Sequence, residues 1–356
     1  MNIRRHKGRR RFVATMAVIF LASVKVAWAF LPSQSFMKSS IRSGKWTGSF
    51  FRSFVSTSAA TGADPYIFNG TVTVLEEGEH HVVVSKPPSV VCHHSDWSGS
   101  RSSKRSVPEI PMLQRTREAI GERVNLVHRL DRGASGCLLL TKAASDHEDH
   151  GIGATTILQQ SLANNTSRKT YIALVRGEGV LNGTDFRKQG WFKVDRPIKD
   201  QSGKLNNATT HFRFLAGQDD GSGTIDRPRA SLVLARPETG RWHQIRKHLN
   251  GLSHPILGDT THGDNRVNHS WRQERGMLPE RTCLHLAKME IPPNPACPQG
   301  ICVTSPLAPD MVAMLQTHLP GVLRDAQASL AEEGINLDGD PFTTFKVPIQ
   351  VVIHRK

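Results

Sequence analysis

Positions 127–142 combine a charged loop with a strand, and they constrain the fold more than any other part of the chain. The stretch reads Val-His-Arg-Leu-Asp-Arg-Gly-Ala-Ser-Gly-Cys-Leu-Leu-Leu-Thr-Lys. Asp131 stands between Arg129 and Arg132 at the start of a Gly-Ala-Ser-Gly turn, and the apolar run 137–140 predicts a buried strand directly behind it. Loops held by such strands are where catalytic side chains concentrate. A surface ion pair beside a turn is the alternative interpretation.

The first 65 residues predict a targeting presequence. A basic start is followed by the apolar run 12–29, which ends in Ala27-Trp28-Ala29, a small-x-small pattern typical of signal-peptide cleavage. A membrane anchor is the alternative, but the run is short and contains Lys25. Residues 33–60 are rich in Ser, Lys and Arg and contain no acid, which is transit-peptide composition.

A signal peptide at 1–29, then Phe30, then a transit-like segment at 30–65 resembles the two-part presequence of algae with complex plastids. The resemblance implies delivery to a plastid, and the mitochondrion and the secretory pathway are the alternatives. No other stretch is long and apolar enough to cross a bilayer, so we expect no stable membrane association of the mature chain.

Much of the positive charge of the chain belongs to this leader. The chain of 356 residues has a formal net charge of +15, and residues 1–60 contain 11 Lys or Arg and no acid, which leaves +4 for residues 61–356. Contacts with nucleic acid must therefore come from local clusters of cations. The five cysteines lack Cys-x-x-Cys spacing, which argues against a zinc ribbon or a disulfide framework.

The body of the chain predicts an α+β domain at residues 66–325, followed by a C-terminal extension at 326–356. Short β-like runs at 71–75, 81–85, 171–175 and 231–235 alternate with single helices, such as 113–120 and a helix beginning near Thr239-Gly240. In that second helix, Trp242, Ile245 and Leu249 recur at helical spacing as one apolar face. The polar, basic segment 95–106 is expected to be a solvated loop, with contact to RNA phosphates as the alternative.

Further segments carry chemically reactive side chains. Lys169-Thr170-Tyr171 opens a strand, and Gly240-Arg241-Trp242-His243-Gln244-Ile245-Arg246-Lys247 places cations on a helix. The stretch 254–264 is rich in turn residues, and Leu284-His285 lies in what is expected to be the last apolar strand.

Together with the His-Arg-Leu-Asp loop, these segments resemble the RluA-type pseudouridine synthases, from about residue 72 to residue 291. Several motifs in the order of the family make the resemblance specific. It implies the pseudouridine synthase fold, a central mixed and largely antiparallel sheet flanked by helices and loops, and an isomerase that converts uridine in tRNA or rRNA to pseudouridine. The stretch 258–268 is most similar to the branch that acts on tRNA. Ala134 and Leu286 depart from the usual pattern, and residues 147–167 look like an expanded insertion.

The resemblance assigns roles to three catalytic residues. Asp131 would act at the ribose, either by attacking C1′ or by taking a proton from C2′. Arg246 would pair with Asp131, because an ionised carboxylate in an apolar pocket needs a partner. Tyr171 would stack on the target base and relay the proton of C5. A half-buried structural tyrosine is the alternative.

The remaining residues implied by the resemblance are contacts to RNA. Arg129 would fill the gap left by the extruded uridine, and Leu284 would form an apolar floor under the base. The implied RNA-binding set comprises Arg129, His128, Arg132, Lys169, Arg241, His243, Gln244, Lys247 and Leu284, and Lys142 is a further candidate for contact with phosphate. For each lysine, simple solvation is the alternative.

No cofactor and no metal are expected. The six candidates His128, His243, His248, His254, Asp259 and His262 lack the spacing of a metal-ligand set. Two other functions compete with the isomerase: an RNA-binding protein or RNA chaperone that keeps the fold without catalysis, and a hydrolase with two carboxylates. The hydrolase lacks a convincing second acid, and the inactive protein is disfavoured because Asp131, Tyr171 and Arg246 are all present. A monomer is the expected state.

Overall fold

The sheet at the centre of this protein is seen in a computed structural model that describes residues 72–94, 109–143, 153–164, 166–218, 229–335 and 345–347. All of these residues belong to the unit Gly62–Lys356. The predicted presequence, the predicted loop at 95–106 and the first part of the predicted insertion lie outside the described residues.

The described residues form fifteen strands and six α-helices. The strands β1 to β15 are, in order, Val72–Glu77, His81–Lys86, Val124–Leu126, Ser135–Lys142, Arg168–Arg176, Val180–Leu181, Thr184–Asp185, Phe192–Asp195, Ile198–Lys199, Leu205–Asn206, Thr209–Gln218, Ala230–Pro237, Leu284–Ile291, Ile301–Thr304 and Phe345–Val347. The helices α1 to α6 are Met112–Ile120, Ala154–Ala163, Gln244–Gly251, Asn265–Glu274, Pro309–His318 and Pro320–Glu332.

Eleven of these strands join in one mixed sheet. Its order is β15-β1-β2-β4-β13-β5-β12-β11-β8, with β14 added to β13 and β3 added to β4. The pair β4–β13 is parallel, and the other described pairs of this sheet are antiparallel. Two small hairpins, β6–β7 and β9–β10, stand apart from it. The predicted α+β class and the mixed, largely antiparallel sheet are confirmed.

The core follows from continuous apolar runs in the central strands. Residues 137–140 of β4 and 172–175 of β5 have no exposed surface. A strand that is covered on both faces carries such uninterrupted runs instead of alternating polar and apolar residues. Each fully buried leucine or valine contributes about 1.5–3 kcal/mol relative to an exposed one, so these two strands anchor the loops at their ends.

The parallel contact between β4 and β13 joins two halves of the sheet. Only two residue pairs form it: Ser135 opposite His285 and Gly136 opposite Leu286. Gly136 has φ +110°, and a Cβ atom there would lie 2.2 Å from the carbonyl oxygen of Leu286, so this approach requires glycine. The Ser135 hydroxyl and His285 Nδ1 share a hydrogen bond of 2.9 Å across the same contact.

Most predicted elements are present, with three differences. The helix predicted from Thr239 begins at Gln244, because His243 has a left-handed φ of +55°; Trp242 therefore lies before the helix and is 39% exposed, so it is not part of its apolar face. Strand β13 is followed by β14 and β15 and is not the last strand. The predicted domain end at residue 325 falls inside α6. No helix within the described ranges has the length and apolarity needed to cross a membrane.

Candidate active site

The loop that carries Asp131 is held from below by a buried lysine. Lys86, at the end of β2, has no exposed surface, and its ammonium donates hydrogen bonds to the carbonyl oxygens of Pro87 at 2.8 Å, Arg132 at 3.1 Å and Ala134 at 2.6 Å. Burial lowers the pKa of Lys86 to about 8, so the group is still charged at neutral pH. The sequence shows Lys86 only as the end of a strand, and its role was missed.

A second buried cation completes the support of this loop. Arg281 has no exposed surface and donates from Nη1 to the carbonyl oxygen of Gly133 at 2.9 Å. The same oxygen accepts from the backbone N–H of Thr282 at 3.0 Å. Arg281 Nε lies 2.9 Å from Asp310 Oδ2 at the start of α5, which balances its charge. The backbone that positions Asp131 is thus tied to β2, to the segment before β13 and, through Arg281, to α5.

Arg246 and two carboxylates form the charged centre of the site. Arg246 lies in α3, and its Nη1 donates to Asp131 Oδ2 at 2.7 Å. Its Nε and Nη2 donate to Asp259 Oδ2 at 2.8 Å and Oδ1 at 2.6 Å. The Asp131 side chain is 37% exposed, whereas that of Asp259 is 1% exposed. The predicted pairing of Arg246 with Asp131 is therefore present in the structure, with the buried Asp259 as the anchor of the guanidinium.

Asp259 is the functional side chain that the sequence interpretation missed. In the sequence, Asp259 stands out only as a candidate metal ligand. Its Oδ1 also accepts from the backbone N–H groups of Thr261 and His262, both at 2.9 Å, which shapes the turn after it. Burial acts to raise the pKa of Asp259, but the hydrogen bonds and charge of Arg246 outweigh it, so the pKa is lowered. The signal in the sequence was an acid between the apolar run 255–257 and a turn.

Tyr171 lies on strand β5, near the middle of the sheet. It is half-buried, and it lies opposite Ala235 of β12 and Leu286 of β13. Burial raises the pKa of Tyr171, and the negative charge of Asp131 raises it further, so the hydroxyl is protonated at neutral pH. Leu286 also pairs with Gly136 of β4, so Tyr171 is separated by one strand from the strand that follows the Asp131 loop. Leu284, two residues before Leu286 on the same face of β13, is 6% exposed, which suits an apolar floor.

The comparison with known proteins decides the family. Residues 80–251 match the family model described as RNA pseudouridylate synthase. A protein from Yersinia pestis is 32% identical over 225 residues, which cover 61% of this chain and 80% of the relative. A protein from Salmonella typhimurium is 31% identical over 266 residues, which cover 71% of this chain and 92% of the relative. Both are named tRNA pseudouridine synthase C.

The chain belongs to the RNA pseudouridylate synthase family. The predicted membership of the RluA-type group, in the branch of tRNA pseudouridine synthase C, is confirmed, and so is the expected class of isomerase at the level of the family. A third relative of the same name, from Pectobacterium carotovorum, is 31% identical over 67% of this chain, and the match spans 60% of that relative. The solved structure of human RNA Pseudouridylate Synthase Domain Containing 1 aligns with 76% of this chain and 97% of its own, at 19% identity and a TM-score of 0.49.

Several residues expected to bind RNA in this pseudouridylate synthase use their polar groups inside the protein. Gln244 is buried: its amide donates to the Thr209 carbonyl at 2.8 Å and to the Thr210 hydroxyl at 2.9 Å, and its oxygen accepts from Thr239 Oγ1 and from the backbone N–H of Arg241. Since the amide oxygen and nitrogen both have two partners, Gln244 shapes the entry to α3 and has no group left for RNA.

The polar groups of Lys169 and His128 also have hydrogen-bond partners inside the protein. The ammonium of Lys169 donates to the Leu162 carbonyl at 3.0 Å, where it stabilises the C-terminal end of α2. His128 Nε2 accepts from the backbone N–H of Leu139 at 3.1 Å, and burial lowers the pKa of His128 to about 4. A neutral ring that is bonded to a strand supplies no positive charge to phosphate. Lys142, a further candidate, forms an ion pair with Glu77 at 2.8 Å.

The two arginines that flank Asp131 differ from each other. Arg132 forms ion pairs with Glu109 and, at 3.9 Å, with Glu280, so it ties the loop to neighbouring segments. Arg129 is exposed beside Asp131, as its predicted role requires.

The ring of His243 lies close to the carboxylate of Asp131. Its Nε2 lies 3.8 Å from Asp131 Oδ2, and its Nδ1 lies 3.0 Å from Nε2 of His262, so the two imidazoles share one hydrogen bond. The Trp242 ring stacks on His243 with centroids 4.0 Å apart. Burial lowers the pKa of His243 to about 4, partly opposed by Asp131, so the ring is neutral at physiological pH. The ring therefore interacts with Asp131 as a neutral polar group and carries no full positive charge.

The remaining histidines of the former metal interpretation have structural partners. Buried His248 donates from Nε2 to the Arg196 carbonyl at 2.9 Å, and buried His254 accepts at Nε2 from the backbone N–H of Gly179 at 3.1 Å. Within the described ranges, no three His, Cys, Asp or Glu side chains are grouped so as to hold a metal ion.

Proposed function

We propose that this protein isomerises a uridine of tRNA to pseudouridine, with Asp131 acting at the ribose. The observation that carries the proposal is the hydrogen bond of 2.7 Å from buried Arg246 to the partly exposed carboxylate of Asp131. Such a carboxylate is held in one orientation, carries a negative charge, and is accessible to a substrate. The choice of tRNA is supported by the printed names of the relatives from Yersinia pestis and Salmonella typhimurium, and rRNA is the alternative.

The reaction breaks the C1′–N1 bond of uridine and forms a C1′–C5 bond. The uracil turns between the two steps, C5 loses its hydrogen as a proton, and N1 gains a proton, so substrate and product have the same composition. Asp131 either attacks C1′, with N1 of the uracil as the leaving group, or takes and later returns a proton of C2′. Both routes need the carboxylate of Asp131 in a fixed position, and the hydrogen bond from the guanidinium of Arg246 holds it there.

Tyr171 acts on the base in this proposal. Because its raised pKa keeps the hydroxyl protonated at neutral pH, the side chain does not serve as a standing base. It stacks on the uracil and passes the C5 proton on through its O–H group. The target uridine is reached only after it has left its stack, at a cost of a few kcal/mol. Exposed Arg129 replaces it there, because a flat guanidinium stacks well between bases.

Substitution of Asp131 by Asn separates catalysis from binding. Asn keeps the size and hydrogen-bonding shape of the side chain and removes the charge and the nucleophile. With tRNA transcripts that carry tritium at C5 of uridine, the wild-type protein should release tritium, while Asp131→Asn should release none and bind the RNA as tightly. Equal release by both proteins would refute the role of Asp131. Equal binding without release by either protein would favour the RNA-binding protein or chaperone.

We also propose that residues 1–65 direct the protein to a complex plastid. The support is the order of the segments: an apolar run ending in Ala27-Trp28-Ala29, then Phe30, then a stretch without acids. A fluorescent protein fused behind residues 1–65 should reach the plastid, and the same fusion without residues 1–29 should stay in the cytosol. Fluorescence in mitochondria or in the medium would contradict the proposal.

A further inference from the structure

The hairpin β9–β10 is attached to the helix that carries Arg246. We call residues 196–207 the hairpin arm. Three of its carbonyl oxygens accept hydrogen bonds from side chains in or just before α3: that of Arg196 from His248 at 2.9 Å, that of Lys199 from the ammonium of Lys247, and that of Asn207 from Nε of Arg241 at 3.1 Å. These attachments, two from α3 and one from Arg241 just before it, hold the arm in a fixed place beside the site.

A short series of contacts leads from the arm to the catalytic carboxylate. The ammonium of Lys247, bonded to the arm, lies 4.1 Å from the centre of the Trp242 ring. Trp242 stacks on His243 at 4.0 Å, and His243 Nε2 lies 3.8 Å from Asp131. The arm is thus separated from Asp131 by the side chains of Lys247, Trp242 and His243.

The arm presents cations and apolar surface to solvent. Lys199, Lys204 and Leu205 are exposed, and in the part of the chain that the structure describes neither lysine forms an ion pair. Leu205 is 61% exposed and lies directly opposite Lys199 in the hairpin, so the two side chains share one face. Leu205 and Trp242 are the large apolar side chains that the described residues leave exposed.

The acid of the arm is used within its own turn. Oδ1 of Asp200 accepts from the backbone N–H groups of Ser202 at 2.9 Å and Lys204 at 3.0 Å and from the Ser202 hydroxyl at 2.7 Å, and its Oδ2 accepts from Asn206 at 3.1 Å. Asp200 therefore shapes the turn that displays Lys204, while the ammonium groups of the exposed Lys199 and Lys204 form no ion pair among the described residues.

We propose that the hairpin arm binds the unpaired RNA strand that adjoins the extruded uridine. Lys199 and Lys204 contact its phosphates, and Leu205 contacts its bases. Lysines beside exposed apolar side chains suit a single strand, in which phosphates and unstacked base faces are available together. The inference rests on the proposed function, because it takes the RNA substrate of that same site as its ligand.

The test compares two double variants of the full chain that each remove two positive charges. Lys199→Gln with Lys204→Gln changes the arm and leaves the backbone carbonyl of Lys199 in place for Lys247. Lys188→Gln with Arg324→Gln is the matched control, because these side chains are 84% and 76% exposed and lie outside the arm. Affinity for a pool of unmodified tRNA transcripts is measured at several salt concentrations, and the single-turnover rate of tritium release is measured at saturating protein.

The arm variant should bind less tightly and depend less on salt. Two lost contacts with a single strand should reduce the slope of log K against log salt concentration by about 1.4, at about 0.7 per contact. The rate at saturation should stay near that of the wild-type protein, and the control should keep the wild-type slope. Lys204→Gln alone should lower the slope by about half as much, and Leu205→Ser should weaken binding without any change in slope.

An unchanged slope in the arm variant, or an equal fall in slope in the control, would overturn the proposal. A lower rate at saturation with unchanged binding would also overturn it, because the arm would then only support α3. If the wild-type protein binds the transcripts and releases no tritium, the proposed function fails, whereas the comparison of slopes still tests the arm.

Discussion

Replacement of Asp259 by Asn tests whether this buried carboxylate positions Arg246 for catalysis. Asn has the same shape and still accepts the hydrogen bonds from the backbone of Thr261 and His262. It removes one of the two negative charges that Arg246 contacts, in a place where the Asp259 side chain is 1% exposed. Of the two carboxylates that contact Arg246, only Asp131 then remains.

The expected loss of stability follows from these contacts. Breaking a buried ion pair by removal of one partner costs about 3–5 kcal/mol. We take the lower value, about 3 kcal/mol, because Asn still accepts from Arg246 and because Asp131 keeps part of the charge balance. For a domain of this size 1 kcal/mol shifts the melting temperature by about 2–4 °C, so the variant should melt at least about 6 °C lower.

The effect on turnover should be larger than the effect on binding. Without its fixed anchor, the guanidinium moves relative to Asp131, and a misplacement of about 1 Å can lower a rate about 100-fold. RNA affinity should stay at the wild-type level, since Asp259 is buried. The assays are single-turnover tritium release, equilibrium binding and thermal unfolding, with Asp325→Asn in α6, whose side chain is 61% exposed, as the control. A variant with the wild-type rate and the melting temperature of the control would refute the positioning role.

The dependence on pH gives an independent check of the same interaction. Burial favours a higher pKa for Asp259, but Arg246 outweighs burial and holds the pKa below its ordinary value. A carboxyl group whose pKa is lower in the folded state stabilises the fold above its unfolded pKa, about 3.9, and loses that contribution as the pH falls through the folded value. The difference in unfolding free energy between wild type and Asp259→Asn should therefore narrow below about pH 4. A constant difference down to pH 2 would contradict this sign.

Two further substitutions test other parts of the site. Tyr171→Phe should lower the single-turnover rate about 100-fold without any change in RNA affinity, because proton transfer by a positioned group typically contributes at least that factor; an unchanged rate would leave stacking as its only role. Lys86→Met should destabilise the protein by at least about 2 kcal/mol in urea unfolding, because three carbonyl oxygens of the loop around Asp131 lose their donor. Lys188→Met is its exposed control, and a difference of less than about 0.5 kcal/mol between the two, the range of ordinary surface substitutions, would contradict the role of Lys86.

The charged centre could be predicted from sequence only where local motifs determine it. Asp131 precedes a glycine turn and an apolar strand, so its place on a supported loop follows from neighbouring residues. Arg246 belongs to a motif for which the family resemblance implies a partner, Asp131. Asp259 becomes significant only when the fold brings its turn against α3. Lys86 was also missed, since nothing near it in sequence shows that its ammonium is directed at carbonyl groups of a distant loop.

The directions of the side chains expected to contact RNA could be predicted less well, for a related physical reason. Membership of a motif does not say which way a side chain points. Gln244 and Lys169 lie in the expected segments, yet both are directed at backbone carbonyls inside the protein. The prediction that Trp242 belongs to the apolar face of the helix was wrong, because a single left-handed residue, His243, delays the start of α3. Hydrophobic spacing carries no information about that one torsion angle.

The separation of Asp131 and Tyr171 depends on the narrow backbone contact between β4 and β13. Asp131 lies on the loop that leads into one half of the sheet, and Tyr171 lies in the other half. Two parallel residue pairs, one of which contains Gly136, join the strands at the boundary, and Thr282 and Arg281 donate hydrogen bonds to the Gly133 carbonyl across it. A small local opening there would move the acid away from the aromatic ring while both halves kept their hydrogen bonds. On gentle heating, turnover should accordingly vanish at a lower temperature than the far-ultraviolet signal of the strands, because the chemistry tolerates less separation than the fold does.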